Sequence, residues 1–339
     1  MSVIRRDITT QDWVLIAPHR GDRPHDHALV RDAHPVAAHD PSCPFCPGNE
    51  ALTPPEVFRI PEDSNGWAVR VVPNKFGVLT LEGPLQDRED GSLFREMTGV
   101  GVHEVIVETP LHNGGLGVMA AAEIELVLRT YQARYQVLRA DPRVACILIF
   151  KNNGERAGTS LVHPHSQLVA LPVVPMQLRQ KVAVAKQYFD DQGRCLYCDL
   201  VQAEVEAGVR LVWISEPFVV FHPFASHAPF ETWIAPTQHQ PSFGHASREE
   251  LATLARVLKK TLQALADALG APDFNLILHM APIADETRPY YLWHLQIIPR
   301  VTTIAGFELG SGMAISTMRP EETAAIMRDV MAHDNRGGQ

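Results

Sequence analysis

The chain has 339 residues, a formal net charge of −9 and a pI of about 6.0. Without a lysine or arginine run it is a poor match to the phosphate backbone of a nucleic acid, which is excluded as an expected partner. No run of about 18 apolar residues occurs and the first residues lack the apolar core of a signal peptide, so a soluble, cytoplasmic protein without a membrane partner is expected.

Four of the five cysteines fall in two C-x2-C pairs, Cys43/Cys46 and Cys195/Cys198, a spacing of metal knuckles and not of a disulfide scaffold. Cys43-Pro44-Phe45-Cys46 runs into the turn Pro47-Gly48-Asn49 and lacks the strand-to-helix setting of a redox pair. Its sulfurs can take two corners of a tetrahedral zinc site, with His112 and His163 as candidate partners. The alternation of His103 to Glu108 predicts a strand leading to His112. A long amphipathic helix follows over 121–140, then a buried strand over 144–150 and the turn residues Asn152-Asn153-Gly154.

The run Val162-His163-Pro164-His165-Ser166-Gln167 is the most informative stretch, because His163, His165 and Gln167 share one face of a strand. An unprotonated imidazole there can attack phosphorus, and a neighbouring amide can donate to phosphoryl oxygens without supplying a second acid. Two merely hydrogen-bonded strand histidines would be the plainer reading. The rest of the chain argues against it, because the pattern recurs.

After a helical stretch over 176–191 that ends at Gly193, Cys195-x2-Cys198 opens a second half. In the first half His112 lies 66 positions after Cys46 (112 − 46) and His163 another 51 (163 − 112); in the second, His239 lies 41 after Cys198 (239 − 198) and His294 another 55 (294 − 239). Strands at 218–221 and 230–234, a helix from Ser247 to about Leu269 with a Ser247/Glu250 capping box, and strands at 274–278 and 291–298 complete the unit. An α+β fold is therefore expected, built from two tandem domains, 1–175 and 194–330, each an antiparallel sheet with packed helices, related by a pseudo-twofold internal repeat. On this spacing Cys195, Cys198, His239 and His294 form a second zinc site, so two zinc ions per chain are expected. His222 and His227 read better as solvent-facing hairpin histidines than as ligands, His279 as a satisfied histidine, and Trp213, Trp233 and Trp293 as core.

With those residues in hand, the chain resembles the galactose-1-phosphate uridylyltransferase family, a two-domain branch of the histidine-triad superfamily. The resemblance runs through Ile16-Ala17-Pro18-His19-Arg20-Gly21-Asp22-Arg23-Pro24, Cys43-x2-Cys46-Pro47-Gly48-Asn49, Val71-Val72-Pro73-Asn74-Lys75-Phe76 and the segment from Asn152 through Ser160 to Gln167. It implies two histidine-triad-like domains and a ping-pong transfer of a nucleoside monophosphate from a nucleotide sugar such as UDP-glucose to a hexose 1-phosphate. His165 would be the nucleophile and Gln167 would bond the transferred phosphoryl group. Cys43, Cys46, His112 and His163 would hold zinc. Asn152 and Ser160 would hold the phosphates, Asn74 would meet the nucleoside, and Arg20 and Arg23 would approach the diphosphate or sugar phosphate. A homodimer is implied by the same resemblance. Where hydrolases of the superfamily carry a third histidine, Gln167 is a neutral amide, which favours a transferase. The second half departs from the best-known uridylyltransferases in its cysteine pair and in Gln296, and is more similar to the branch containing ADP-glucose phosphorylase, which passes AMP to phosphate. A zinc-stabilised nucleotide-binding protein without catalysis is the alternative of another class.

Overall fold

The computed structural model describes residues 1–20, 36–62, 66–91 and 93–337. In chain order the elements are β1 (Val3–Arg6), β2 (Trp13–Ile16), β3 (Phe58–Ile60), β4 (Val69–Pro73), β5 (Asp87–Asp90), β6 (Phe94–Met97), β7 (Val102–Val107), α1 (Ala121–Leu138), β8 (Cys146–Asn153) and β9 (His165–Leu171). They continue with α2 (Met176–Gln192), α3 (Leu196–Ala207), β10 (Leu211–Ser215), β11 (Phe218–Phe221), β12 (Thr232–Pro236), α4 (Arg248–Leu269), β13 (Phe274–His279), β14 (His294–Pro299), α5 (Gly306–Ser311), β15 (Ile315–Ser316) and α6 (Pro320–Gly337).

Ten of these strands form one sheet, in the order β10-β11-β12-β14-β13-β8-β9-β7-β4-β3. The order reads the same from either end once β3, β4, β7, β9 and β8 are matched with β10, β11, β12, β14 and β13. Strands β8 and β13 meet at the centre as an antiparallel pair, Phe274 opposite Asn153 and Leu278 opposite Ile149. The expected pseudo-twofold repeat is therefore present, and the two half-sheets are continuous across that seam.

One face of the sheet is covered by α1 and α4. Ile124, Val127, Leu128, Tyr131, Tyr135 and Leu138 of α1, at spacings of three and four, are buried against it. Helix α4 buries Leu251, Leu254, Ala255, Leu258, Leu262 and Leu265 in the same way. It begins as the sequence predicts: the Ser247 hydroxyl accepts from the Glu250 N–H at 3.1 Å, while the Ser247 N–H donates to Glu250 Oε2 at 2.6 Å. It ends at Gly270, whose φ of 71° lies in the left-handed region that suits glycine.

The opposite face differs between the halves. In the second half α2 and α3 cover it, and Leu178, Ala185, Leu196, Tyr197 and Val201 pack on Val219, Phe221, Trp233 and Ala235. In the first half that face meets the cysteine knuckle: Cys43, Phe45 and Cys46 pack with Val72, Val105 and Val107. Among the described residues, two helices cover that face in one copy of the repeat and the cysteine knuckle covers it in the other.

His222 corrects an expectation. It does not face solvent; it is fully buried, its Nδ1 2.7 Å from Thr323 Oγ1 and its Nε2 3.1 Å from Thr232 Oγ1. His227 is exposed as expected, 3.6 Å from Asp7. Burial pushes His222 and His294 down to about 3, and pushes His279 down as well. The unfolded chain takes up protons on these residues as pH falls through about 6.5, whereas the folded chain stays neutral there, so stability is lost between about pH 6.5 and 3. His227, pushed down by burial but held up by Asp7, contributes in the opposite sense. The unfolding free energy from urea titration should therefore fall from pH 7.5 to 5, by up to about 1.4 kcal/mol per pH unit for each proton taken up. The fall should be shallower in His222→Gln, and equal slopes for the two proteins would contradict this account.

Candidate functional site

Four ligand atoms from Cys43, Cys46, His112 and His163 lie within 4.8 Å of one another. The Sγ of Cys43 is 3.7 Å from His163 Nδ1, and the Sγ of Cys46 is 3.6 Å from Nδ1 of both His112 and His163. A tetrahedral zinc ion, with bonds of about 2.3 Å to sulfur and 2.0–2.1 Å to nitrogen, holds the two atom types about 3.6 Å apart, so the group has the dimensions of a metal site. The second ring nitrogen of His163 donates to the Thr109 carbonyl at 2.8 Å, which leaves Nδ1 with its lone pair toward the sulfurs. Burial pushes His163 down to about 4, favouring the neutral imidazole a metal requires, and pushes the Cys43 thiol up, so a thiolate there needs a cation.

His163 is also where this group meets the next. Its backbone carbonyl accepts from His165 Nδ1 at 2.8 Å, so the free lone pair of His165 sits on Nε2. Phe45, inside the knuckle, packs its ring on both histidines, at centroid distances of 6.0 Å to His163 and 5.5 Å to His165. Burial pushes His165 down, so it is neutral near pH 7.

The other face of β9 fixes the backbone that carries His165. Lys151 on β8 donates to Glu108 Oε2 at 2.8 Å and to the His165 carbonyl at 3.2 Å. Glu108 accepts in turn from the Ser166 hydroxyl, which bonds Tyr131 of α1 at 2.5 Å. Lys151 and Glu108 are 2 % and 0 % exposed, and a pair so deeply buried keeps its place only because each charge satisfies the other. Of these, Lys151, Glu108 and Tyr131 do not stand out in the sequence by motif, although two charges beside apolar strand residues are themselves a sign of buried pairing.

Gln167 is held by a residue the motif reading missed. The Val78 N–H donates to His103 Nδ1 at 3.2 Å, which places the ring proton on Nε2; that nitrogen is 2.8 Å from Gln167 Oε1. Asn74 lies against the same ring, its Nδ2 3.1 Å from His103 Nε2, and its Oδ1 accepts from the Phe76 N–H at 2.9 Å. Asn152 reaches across the central seam: its Oδ1 accepts from Asn275 Nδ2 at 2.7 Å, and Asn275 is itself bonded by Arg300. Ser160 is exposed on the loop before His163. Arg20 closes a short 3-10 turn, Pro18–Arg20. Arg23 lies outside the described residues.

In the second half three of the four expected ligands converge, Cys195, Cys198 and His239, with Cys198 Sγ 3.2 Å from His239 Nδ1. Cys195 caps α3, accepting from the Cys198 N–H at 3.4 Å; the Cys198 thiol, outweighing burial, holds Cys195 down to about 5. His294 falls outside the atoms that lie within 4.8 Å of one another, and its Nε2 is buried without a hydrogen-bond partner among the described residues. Its Nδ1 is 3.2 Å from the Leu292 carbonyl, the bond that His165 makes with His163 two residues earlier in its own half. Strand pairing agrees: Gln167 stands opposite Phe150 and Val105, and Gln296 opposite Ile277 and Trp233. His294 thus matches His165, Gln296 matches Gln167 and Leu292 matches His163. The expected correspondence of His294 with His163 rested on spacing and is two residues out of register.

In this second copy the glutamine is bonded at both ends, while His294 Nε2, among the described residues, is buried without a hydrogen-bond partner. Gln296 accepts from His279 at 2.7 Å and donates to Glu231 at 2.6 Å, and His294 stacks between Trp233 (4.2 Å) and His279 (4.8 Å). His279 is the satisfied histidine expected, and Trp233 and Trp293 are core; Trp213 is only partly buried, with Lys260 over its ring.

Comparison with known proteins agrees with this geometry. The profile described as galactose-1-phosphate uridyl transferase, N-terminal domain, matches residues 1–175, and one described as a domain of unknown function, DUF4921, matches 111–339. The chain is 35 % identical to ADP-glucose phosphorylase of Arabidopsis thaliana over 96 % of its length and 92 % of the relative's. It is 27 % identical to galactose-1-phosphate uridylyltransferase of Thermotoga maritima over 97 % and 98 %. A crystal structure of the Arabidopsis ADP-glucose phosphorylase with bound ADP-glucose superposes with a TM-score of 0.84 at 32 % identity, covering 97 % of this chain and 99 % of that one. A uridylyltransferase structure gives 0.75 at 30 %, covering 98 % and 99 %. The chain belongs to the galactose-1-phosphate uridylyltransferase family of nucleotidyl-transferring enzymes.

Proposed function

We propose that the chain moves a nucleoside monophosphate from a nucleotide sugar to a phosphate acceptor through a covalent intermediate on His165. The observation that carries this reading is the bond from His165 Nδ1 to the His163 carbonyl, which commits Nε2 to nucleophilic attack beside the Gln167 amide. The Nε2 lone pair attacks the α-phosphorus, the bond to the bridging oxygen breaks, and its electron pair leaves with the sugar phosphate. Positive charge that builds on the ring is stabilised at Nδ1 by the carbonyl, and the Gln167 NH2 group donates to a non-bridging oxygen. In the return step an acceptor oxygen attacks phosphorus and the phosphorus–nitrogen bond breaks, restoring His165. Asn152 and Ser160 are assigned to the phosphates, Asn74 to the nucleoside, and Arg20 and Arg23 to the diphosphate or sugar phosphate.

Two versions share this chemistry. In one the donor is UDP-glucose and the acceptor a hexose 1-phosphate; in the other the donor is ADP-glucose and the acceptor phosphate. The second is favoured by the greater likeness to the Arabidopsis phosphorylase, in identity (35 % against 27 %) and in TM-score (0.84 against 0.75). Residues 1–175 form the catalytic half in this reading and 194–330 the supporting one. Zinc is assigned to Cys43, Cys46, His112 and His163 as a structural ion, since four protein ligands leave no position for substrate. No helix among the described residues is long and apolar enough to cross a membrane, and a cytoplasmic homodimer belongs to the same proposal.

Intact-protein mass spectrometry after separate brief incubations with UDP-glucose and ADP-glucose should show a nucleotidyl adduct, its mass identifying the base, and none in His165→Gly. An adduct that persists in His165→Gly would assign the nucleophile elsewhere. His103→Ala should lower kcat roughly tenfold or more while KM stays within about threefold, with partial recovery in His103→Gln, because the amide loses its orientation and not its contact. Parallel losses in KM alone would contradict that role. Removal of the first-site metal should lower the melting temperature by well over a few degrees, and equal melting of metal-free and loaded protein would contradict a structural ion.

A further inference from the structure

We infer that Asn275 of the second half is a positioning residue for nucleotidyl transfer, which fixes the amide of Asn152 so that it presents its N–H donors, and not its oxygen, to the phosphates of the nucleotide. The inference rests on the transfer through His165 and on the assignment of Asn152 to the phosphates. It starts at the central seam, where Asn275 stands opposite Asn152. The Asn275 Nδ2 donates to Asn152 Oδ1 at 2.7 Å and to the Ala157 carbonyl at 2.9 Å, while Asn275 Oδ1 accepts from Arg300 Nε. A guanidinium has only donors and a backbone carbonyl only accepts, so both ends of the Asn275 amide are chosen by its neighbours. The choice is passed on: facing an NH2 group, Asn152 offers its oxygen, and its own NH2 group is turned away from Asn275. Among the described residues that NH2 group has no partner, and it lies beside Gly158, where a β-carbon would stand 3.8 Å from it. A phosphate oxygen attracts an N–H and repels an amide oxygen, so the direction of the bonds from Arg300 through Asn275 to Asn152 decides whether Asn152 helps or hinders its ligand.

The same part of the second half holds the loop that follows Asn152. The Arg156 N–H donates to Asp273 Oδ2 at 2.8 Å, and Gly154, at a φ of 89°, lies so close that any β-carbon there would collide with the Asp273 carboxylate. Asp273 and Asn275 are both buried, so the stretch 154–158 that leads toward Ser160 is moulded on fixed groups of the other copy. The repeat shows that the sheet itself does not require this. Val169 and Ile298 each stand two residues beyond the matched glutamines, and Leu148 pairs with the first as Asn275 pairs with the second. The twofold counterpart of Asn275 is therefore Leu148. A strand that folds with leucine at this place in one copy has no structural need of a buried amide in the other.

The test follows the rate at which the nucleotidyl adduct forms on His165 in a single turnover, by intact-protein mass spectrometry, with whichever of UDP-glucose and ADP-glucose labels the wild type. Asn275→Ala and Asn152→Ala should each slow labelling by about tenfold or more. Because the first residue acts through the second, the double variant should be no more than about threefold slower than Asn152→Ala alone, whereas a contribution made through the fold at large would multiply. Arg300→Met should slow labelling too, and Arg300→Lys, which again has only donors, should label at least about threefold faster than Arg300→Met. The two Arg300 variants decide the matter if Asn275→Ala does not fold. Wild-type rates in Asn152→Ala or Asn275→Ala, losses that multiply in the double variant, or equal rates for Arg300→Met and Arg300→Lys would overturn the inference and leave the transfer through His165 standing. A wild type that takes no label from either donor would remove that transfer, and the inference with it.

Discussion

The first half of the repeat depends on a single residue acting at both ends. The ring of His163 belongs to the metal group, and its carbonyl holds the Nδ1 proton of His165. Under the proposed function, whatever fixes a metal there also fixes the tautomer and aim of His165, with no side chain in between. A carbonyl is a neutral acceptor, so it orients the ring without offering a base that could take the proton away. On the reverse of the strand the Lys151–Glu108 pair grips the backbone one peptide further on, at the His165 carbonyl. The strand is held from both faces, which is how a flexible imidazole acquires the positional accuracy that in-line attack demands.

The repeat shows what the same scaffold does when that demand is removed. Both halves keep a histidine whose Nδ1 meets the carbonyl two residues back, and both keep a glutamine two residues on. In the first half the glutamine carbonyl is capped by His103; in the second both ends of the amide are taken, by His279 and Glu231. Helices α2 and α3 then close over that face. The difference between the two copies lies less in the strand residues themselves than in which ends of their amides are already occupied.

Much of this was legible in the sequence. The capping box of α4, the strand carrying His165 and Gln167, and the knuckle at Cys43 each declare themselves by local spacing, although His163 lies in the bend before that strand and not on it. The register between the halves was not legible. Counting from one cysteine pair to the next histidines measures chain length, which loops can alter freely, whereas register is set by strand pairing, which they cannot alter. His103, Glu108, Lys151 and Asn275 were missed for a related reason: each is an ordinary polar residue until a distant strand or loop supplies its partner.

The seam between β8 and β13 carries one more implication. A chain comprising the first half alone would present β8 as a bare, largely apolar edge, with a row of backbone groups seeking a partner of matching twist. The natural complement of such an edge, given the pseudo-twofold relation across it, is the same edge on a second copy. The present chain is in that sense a dimer made covalent. Fusion frees one copy to drift while the other stays under constraint, and it makes permanent a pairing that separate chains would lose on dilution. Asn275, lent from the drifting copy to hold Asn152 of the constrained one, is the trace of that arrangement.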